Sequence, residues 1–346
     1  VLEILKAIRL MGVSHMWRLH KGYKDGWKDT LQGYFTTHAL FALLNLGFLD
    51  ELVNHGSANP NDFAKSHDLD PELLKSTCMA MYRVGFFDRS GESFSFSKKG
   101  STAFDVLRGW LELGYGYDEI FVNLEDMIRR KRVYNQNIVR RPDFIATGSG
   151  TMEALLFFPI ATDILKQGNY SHVMDLGCGD GTFLRGLSQN DPGIKATGID
   201  LSPVAVADGN QKAAQQGLAD RVRLFALDIS KITEVSDDIK GVQATTVFFV
   251  LHELLYSGED RVIAFLKDYR RLFPTAPLIV FEAIRPSDEA MRRKPGAAIY
   301  YHYFHDLSHQ RPTNREHWRE LFAKGGFTNI EERYLQYAAA SVFTLR

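Results

Sequence analysis

The feature that most limits what this chain can fold into is the run Val173-Met174-Asp175-Leu176-Gly177-Cys178-Gly179-Asp180-Gly181-Thr182. In it an apolar strand-like segment breaks into alternating glycines and reopens as helix-length sequence over residues 183–188. Glycines at such a joint permit a tight turn and a close approach of backbone to a ligand. Around the loop, strand-like runs at residues 172–176, 196–200, 221–227, 245–251 and 277–283 alternate with helix-length stretches. That alternation predicts an α/β domain, a doubly wound parallel sheet with crossover helices. Two more strand-like runs, 328–335 and 340–345, are joined by a very short connection and predict an antiparallel hairpin at the sheet's edge.

The loop spaces its glycines G-x-G-x-G, whereas the fingerprint that seats a dinucleotide pyrophosphate is G-x-G-x-x-G. Asp175 stands two residues before the first glycine, where a carboxylate repels phosphate and suits an ammonium group. The expected ligand is therefore a nucleotide that carries an amino acid rather than a pyrophosphate. Asp200 falls 23 positions after Gly177, the usual distance at which an acid accepts both ribose hydroxyls. Asp228 follows the third strand, where it could accept the exocyclic amine of an adenine. An Asp after a strand is also a common helix cap, so each acid gains its meaning from the loop beside it.

At 346 residues the chain has length for about two domains of roughly 150. Before residue 100 the pattern reads as helices over 38–52, 60–67 and 71–87, then a short hairpin, with 93–97 after a turn at Ser90-Gly91, a winged-helix arrangement. The expected division is a winged-helix-like domain over 1–100, a helical linker and substrate-pocket region over 101–168, and the nucleotide-binding domain over 169–346. The third front helix offers only Lys75 and Arg83 against Glu72, among Leu73, Leu74, Met79 and Met81. Packing or dimerisation explains that helix better than DNA does. Lys and Arg number 41 against 42 Asp and Glu, a net charge of -1, which gives no global field for nucleic acid or an anionic membrane.

Cys78 and Cys178 cannot form a disulfide framework, and a reducing cytoplasm is the expected location. Residues 1–10 carry Glu3, Lys6 and Arg9 and read as an amphipathic helix, not a signal peptide. The longest apolar stretches, such as 154–161, fall short of the roughly 20 residues of a membrane span. Residues 104–166 are expected to be wholly helical, with a cationic cluster at Arg129, Arg130, Lys131 and Arg132 and a pair at Arg140 and Arg141. One of these arginines is a candidate to grip a substrate carboxylate with its planar fork, and the sequence leaves open which.

His252, followed by Glu253, is expected to end the fourth strand and face the crevice at the sheet's carboxyl edge. A base there suits removal of a proton from an attacking hydroxyl. Three further histidines, His302, His305 and His309, fall within eight residues at i, i+3 and i+7, so on a helix they share one face. That face could present a metal ligand.

Asp175, Gly177, Gly179, Gly181, Asp200 and Asp228 together resemble the S-adenosylmethionine site of class I methyltransferases. The winged-helix front end and His252-Glu253-Leu254 resemble the plant-type small-molecule O-methyltransferases, over most of the chain. The resemblance implies a homodimer formed through the front domain and a small-molecule substrate. It also implies a methyl donor bound across the strand ends, and His252 as general base. Glu253 stands where that family usually has Asp, and it is carried as a second catalytic candidate. The histidine pair is similar to that of the α-keto acid C-methyltransferases, such as the phenylpyruvate and 2-ketoarginine enzymes. There the matching residues, here His252 and best His305 ahead of Leu307 and Gln310, hold a divalent metal, expected to be iron or zinc. That branch implies methylation at C3 of a keto acid through a metal-stabilised enolate. O-methylation of an aromatic hydroxyl by His252 alone is the alternative, and the choice among His302, His305 and His309 stays open.

Overall fold

A computed structural model describes residues 2–234, 239–294, 296–310 and 312–346. The chain divides into two compact units, Val1–Tyr115 and Gly116–Arg346, with the boundary inside the helix Lys98–Val122.

In the first unit the helices Leu2–Met11, Val13–Lys24 and Trp27–Asn45 are followed by Phe48–His55, Pro60–Ser66 and Pro71–Arg83. A hairpin of β1 (Phe87–Ser90) and β2 (Ser93–Phe96) comes next. The amphipathic front helix is present, and Val1 lies outside the described residues. Two of the helix starts are written locally. Asn59 accepts from the Asn61 amide at 2.9 Å, and Asp70 from the Glu72 and Leu73 amides at 2.9 and 3.0 Å. Each precedes a proline whose missing N–H is no loss in a first turn. Leu43, Phe48, Leu49, Cys78, Phe87 and Phe94 fill the core.

Three expected helices are redrawn. The span 38–52 is broken, because Gly47 at φ 78° ends the helix Trp27–Asn45 and starts Phe48–His55. Both pieces bury leucines in one core, so the apolar pattern runs through the break. The third front helix stops at Arg83, where Gly85 at φ 79° turns the chain toward β1. The span 104–166 is not wholly helical: after Leu124–Ile128 the chain runs irregularly to Pro142, with Arg130 and Asn135 at φ 59° and 62°. Arg141 is held extended at φ -83°, ψ 105° by the ring that follows it.

The second unit is a seven-stranded sheet in the order β5-β4-β3-β6-β7-β9-β8. Its strands are β3 (His172–Leu176), β4 (Lys195–Asp200), β5 (Val222–Ala226), β6 (Ala244–Phe248), β7 (Leu278–Ala283), β8 (Ile330–Leu335) and β9 (Ala340–Leu345). The first five are parallel, and β9 inserts antiparallel between β7 and β8. From β3 the chain steps outward to β4 and β5, then returns to β6 on the other side of β3. A crevice opens at the carboxyl ends where that direction reverses, with Asp175 paired to Gly198 and Thr246 at its floor. Met174 and Leu176 pack on one face with Val247, Val280, Phe265 and Trp318; Val173 packs on the other with Phe183, Leu224, Phe248 and Phe281. The period of two divides each strand between two helical layers. No single described helix is long and apolar enough to cross a membrane; the pair Pro142–Leu156 and Phe158–Gln167 passes only together and is bent by 54°.

The helix Pro203–Gln215 lies tight against the loop after β3. A Cβ on Gly209 would stand 2.3 Å from the Asp180 carbonyl oxygen and 2.4 Å from Leu224 Cδ1. Gly209→Ala is therefore expected to destabilise the second unit by about 1–3 kcal/mol, as overpacking against backbone does. Thermal denaturation checks this, at roughly 2–4 °C per kcal/mol.

Candidate active site

Each glycine of the loop has its own reason to be glycine. Gly177, Gly179 and Gly181 have φ of 81°, 55° and 71°, the left-handed region that disfavours a side chain. A Cβ on Gly177 would also strike Val250 at 2.3 Å, and one on Gly181 would strike Leu224 at 2.8 Å. A Cβ on Gly179 would meet nothing within 4 Å, so its backbone borders open space. Asp200 at the end of β4 ties the loop down, accepting from the Gly179 amide and, with its other oxygen, from the Ser202 amide, both at 2.8 Å. Each of those oxygens keeps a further lone pair. Asp180 receives Lys212 at 2.8 Å and Thr182 at 2.6 Å. Although burial opposes ionisation there, these donors and Arg185 hold its carboxyl down at about 2.

Asp175 is 2% exposed and accepts from Thr246 Oγ1 at 2.6 Å. Burial pushes its carboxyl up to about 7 despite that bond. Asp228 lies just beyond β5 and accepts from the Ser230 amide at 2.8 Å, capping the short helix Ile229–Glu234. Leu227, its neighbour, donates to the Asp200 carbonyl at 2.9 Å, so the acids after β4 and β5 are held side by side.

His252 does not end β6. That strand stops at Phe248, Phe249 takes φ 54°, and His252 sits in the first turn of the helix Leu251–Tyr256. Its partner was not read from the sequence. Glu282, wholly buried near the end of β7, accepts from the His252 backbone amide at 3.1 Å and from Nδ1 at 3.0 Å. An acid closing the otherwise apolar run Leu278–Ala283 was the available signal, the same one that marks Asp200. Burial works against a charged ring, and the neighbouring Glu282 carboxylate overcomes it, so His252 is held above the ordinary histidine value.

The three clustered histidines do not share one helical face. The helix Ala297–Leu307 ends before His309, which is exposed at φ 59°. His302 points Nε2 at the Ile284 carbonyl, 3.2 Å away. Burial, with the Arg285 charge, lowers its ring to about 4. His305 donates from Nδ1 to the Tyr301 carbonyl at 2.7 Å, and its ring stands 5.1 Å from that of His252 at 70°. Burial and the His252 charge keep His305 well below the ordinary value, and so neutral. Among the described residues, neither His252 Nε2 nor His305 Nε2 has a hydrogen-bond partner. Two imidazoles with Nδ1 engaged and Nε2 free are suited to hold a metal ion, and no described group of three His, Cys, Asp or Glu supplies a larger set.

Glu253 turns to another set of residues. Its Oε1 accepts from Arg140 Nη2 at 2.9 Å and from Gln310 Nε2 at 3.0 Å, while Arg140 Nη1 lies 3.3 Å from Tyr117 Oη. Burial raises the Glu253 carboxyl, but the charges of His252 and Arg140 outweigh it and keep it below the usual carboxylate value. Glu153, on the helix Pro142–Leu156, is driven well above that value by burial and by the Asp175 and Glu282 carboxylates.

Residues 174–274 match the family described as a methyltransferase domain. The match places a methyltransferase domain within the second unit. The chain is 27% identical to the 2-ketoarginine methyltransferase of Streptomyces arginensis over 312 residues, 88% of each chain. Among solved structures, PigF with SAH superposes with a TM-score of 0.66 at 16% identity, covering 93% of this chain and 99% of that one. The mitomycin 7-O-methyltransferase MmcR superposes with a TM-score of 0.63 at 15% identity, covering 95% and 99%. At such identities the two structures establish the fold.

The Asp175 carboxyl gives the protein a specific pH response. Because its value rises from 3.8 unfolded to about 7 folded, the stability tied to its proton is full below pH 4 and is lost as pH rises through 7. Asp175→Asn should remove that loss. Its stability relative to the parent is expected to grow by up to about 1.4 kcal/mol per pH unit between pH 4 and 7, read by urea denaturation without ligand.

Proposed function

We propose that the chain transfers the methyl group of S-adenosylmethionine to C3 of an α-keto acid. The observation that carries this reading is the pair His252 and His305, whose Nδ1 atoms are fixed by Glu282 and the Tyr301 carbonyl while both Nε2 atoms have no hydrogen-bond partner among the described residues. The similarity to a 2-ketoarginine methyltransferase supports the same substrate class. The donor's ammonium group pairs with Asp175, its methionine portion lies over the open side of Gly179, and its ribose and adenine are taken by Asp200 and Asp228. Gly177 and Gly181 hold the turn that lets it approach. A divalent metal, iron or zinc, held by the two imidazoles would supply a Lewis acid for the keto oxygen and carboxylate. Glu282 fixes the tautomer and aim of His252, and the low proton affinity of His305 keeps its Nε2 lone pair available.

O-methylation is the second reading, favoured by one observation: Glu282 raises the basicity of His252, as proton removal from a hydroxyl requires. A homodimer is proposed through the first unit, where Trp17, Trp27, Leu31, Tyr34 and Phe35 are exposed along the front helices.

Gly179→Val is expected to abolish donor binding by calorimetry. His305→Ala should lower metal content and deuterium exchange at C3 of phenylpyruvate or 2-ketoarginine by at least 10–100-fold, with donor affinity kept. His302→Ala should retain exchange. Full C3 exchange and methyl transfer after chelation, or an O-methylated product only, would overturn the keto-acid reading.

A further inference from the structure

Both imidazoles of the His252–His305 pair are held from one strand end. Glu282, near the end of β7, takes the His252 backbone amide and Nδ1. Two and three residues further on, Ile284 and Arg285 hold the helix Ala297–Leu307, which carries His305. The Ile284 carbonyl accepts from His302 Nε2 at 3.2 Å. Arg285 donates from Nη1 and Nη2 to the two carboxylate oxygens of Asp306, at 2.6 and 2.8 Å. Asp306 follows His305 directly, so this fork acts one position from the ring. The dipeptide is itself anchored, because the Ile284 amide donates to the Ala339 carbonyl at 2.8 Å and the Arg285 amide to the Thr313 carbonyl at 3.0 Å.

The other contacts of the helix are less directional. Its start at Ala297 has no side-chain cap. Phe304 stacks on Tyr117 with ring centroids 4.8 Å apart at 14°, an apolar contact that holds the helix down without fixing its slide along the surface. A two-point guanidinium–carboxylate bond is charge-assisted and geometrically specific, and so outweighs the single neutral bond of His302. Among the described residues Arg285 and Asp306 have no other ion-pair partner, and their side chains are 34% and 44% exposed. An ion pair so open to solvent adds little to folding, and its bidentate form sets geometry instead.

We propose that Arg285 and Asp306 are positioning residues that set the His305 ring against His252, so that the end of β7 fixes both imidazoles. The function of that placing rests on the metal reading of the pair; the placing itself needs no metal. The two rings stand 5.1 Å apart, and a shift of about 1 Å in one of them is enough to loosen a site made by both.

The test uses Arg285→Ala, Asp306→Ala and the double variant, with His305→Ala as the reference for loss of the ring. Zinc affinity is read by competition against a chromophoric chelator. Each single variant is expected to weaken zinc binding by about 3–10-fold, and the double variant by no more than either single, as two residues acting as one pair require. Arg285→Lys, a point charge without the fork, should recover part of the loss. Calorimetric affinity for S-adenosylmethionine should stay within about twofold of the parent throughout. In metal-free protein with isotopically labelled histidine, the side-chain nitrogen resonances of His305 are assigned by their absence in His305→Ala. They should report a neutral ring with its proton on Nδ1, and should move in both single variants. Where His305→Ala abolishes zinc binding, single variants that keep the parent's affinity overturn the proposal, as does a double variant that loses the product of the two factors. Unmoved His305 resonances overturn it in any case. If His305→Ala keeps the parent's zinc affinity, the metal reading falls, and moved His305 resonances alone uphold the placing.

Discussion

The active-site half of the molecule hangs on one buried acid. Glu282 has no solvent exposure, so its charge must be met inside the protein, and His252 meets it twice, through its backbone amide and through Nδ1. The amide bond fixes where the helix Leu251–Tyr256 begins, and the ring bond fixes which nitrogen of His252 remains free. With that helix set, Glu253 is carried to the side where Arg140 and Gln310 meet it, and His305 approaches from the helix Ala297–Leu307. Removing Glu282 would leave two donors without an acceptor and would loosen all of these placements together.

The donor end is built by a different device. Gly177, Gly179 and Gly181 take left-handed backbone; at the outer two, side chains from β5 and from the turn after β6 also leave no room for a Cβ, and the middle one borders open space. Asp200 and Asp180 then grip the loop from either side, the first through backbone amides and the second through Lys212, Thr182 and Arg185. The loop is thus shaped by the protein's own bonds, so little ordering remains to be done when a nucleotide arrives. The two ends meet at the reversal of strand order between β3 and β6, which sets Asp175 and His252 at the carboxyl edge of one sheet.

Much of this was legible in the residues. The strand–helix alternation yields the parallel sheet, the glycine spacing separates this loop from a pyrophosphate site, and the acids at 200 and 228 lie at adjacent strand ends as their spacing implies. Helix boundaries are less legible, for one physical reason. At Gly47 and Gly85 a left-handed residue breaks a helix while the apolar pattern continues, because both sides bury in one core. The histidine cluster misled similarly: i, i+3 and i+7 share a face only on an unbroken helix, and His309 lies past its end.

Local sequence determined those parts of the molecule whose physics is local: the alternation of strand and helix, the caps at Asn59 and Asp70, and the left-handed glycine turn after β3. Each depends on backbone torsions and on side chains within a few positions. Tertiary structure alone decided which histidine faces His252, that Glu282 orients it, and that Glu253 pairs with Arg140. Those choices join residues 30, 53 and 113 positions apart, where no periodicity reaches and only the closing of the sheet and its helical layers brings side chains within bonding distance.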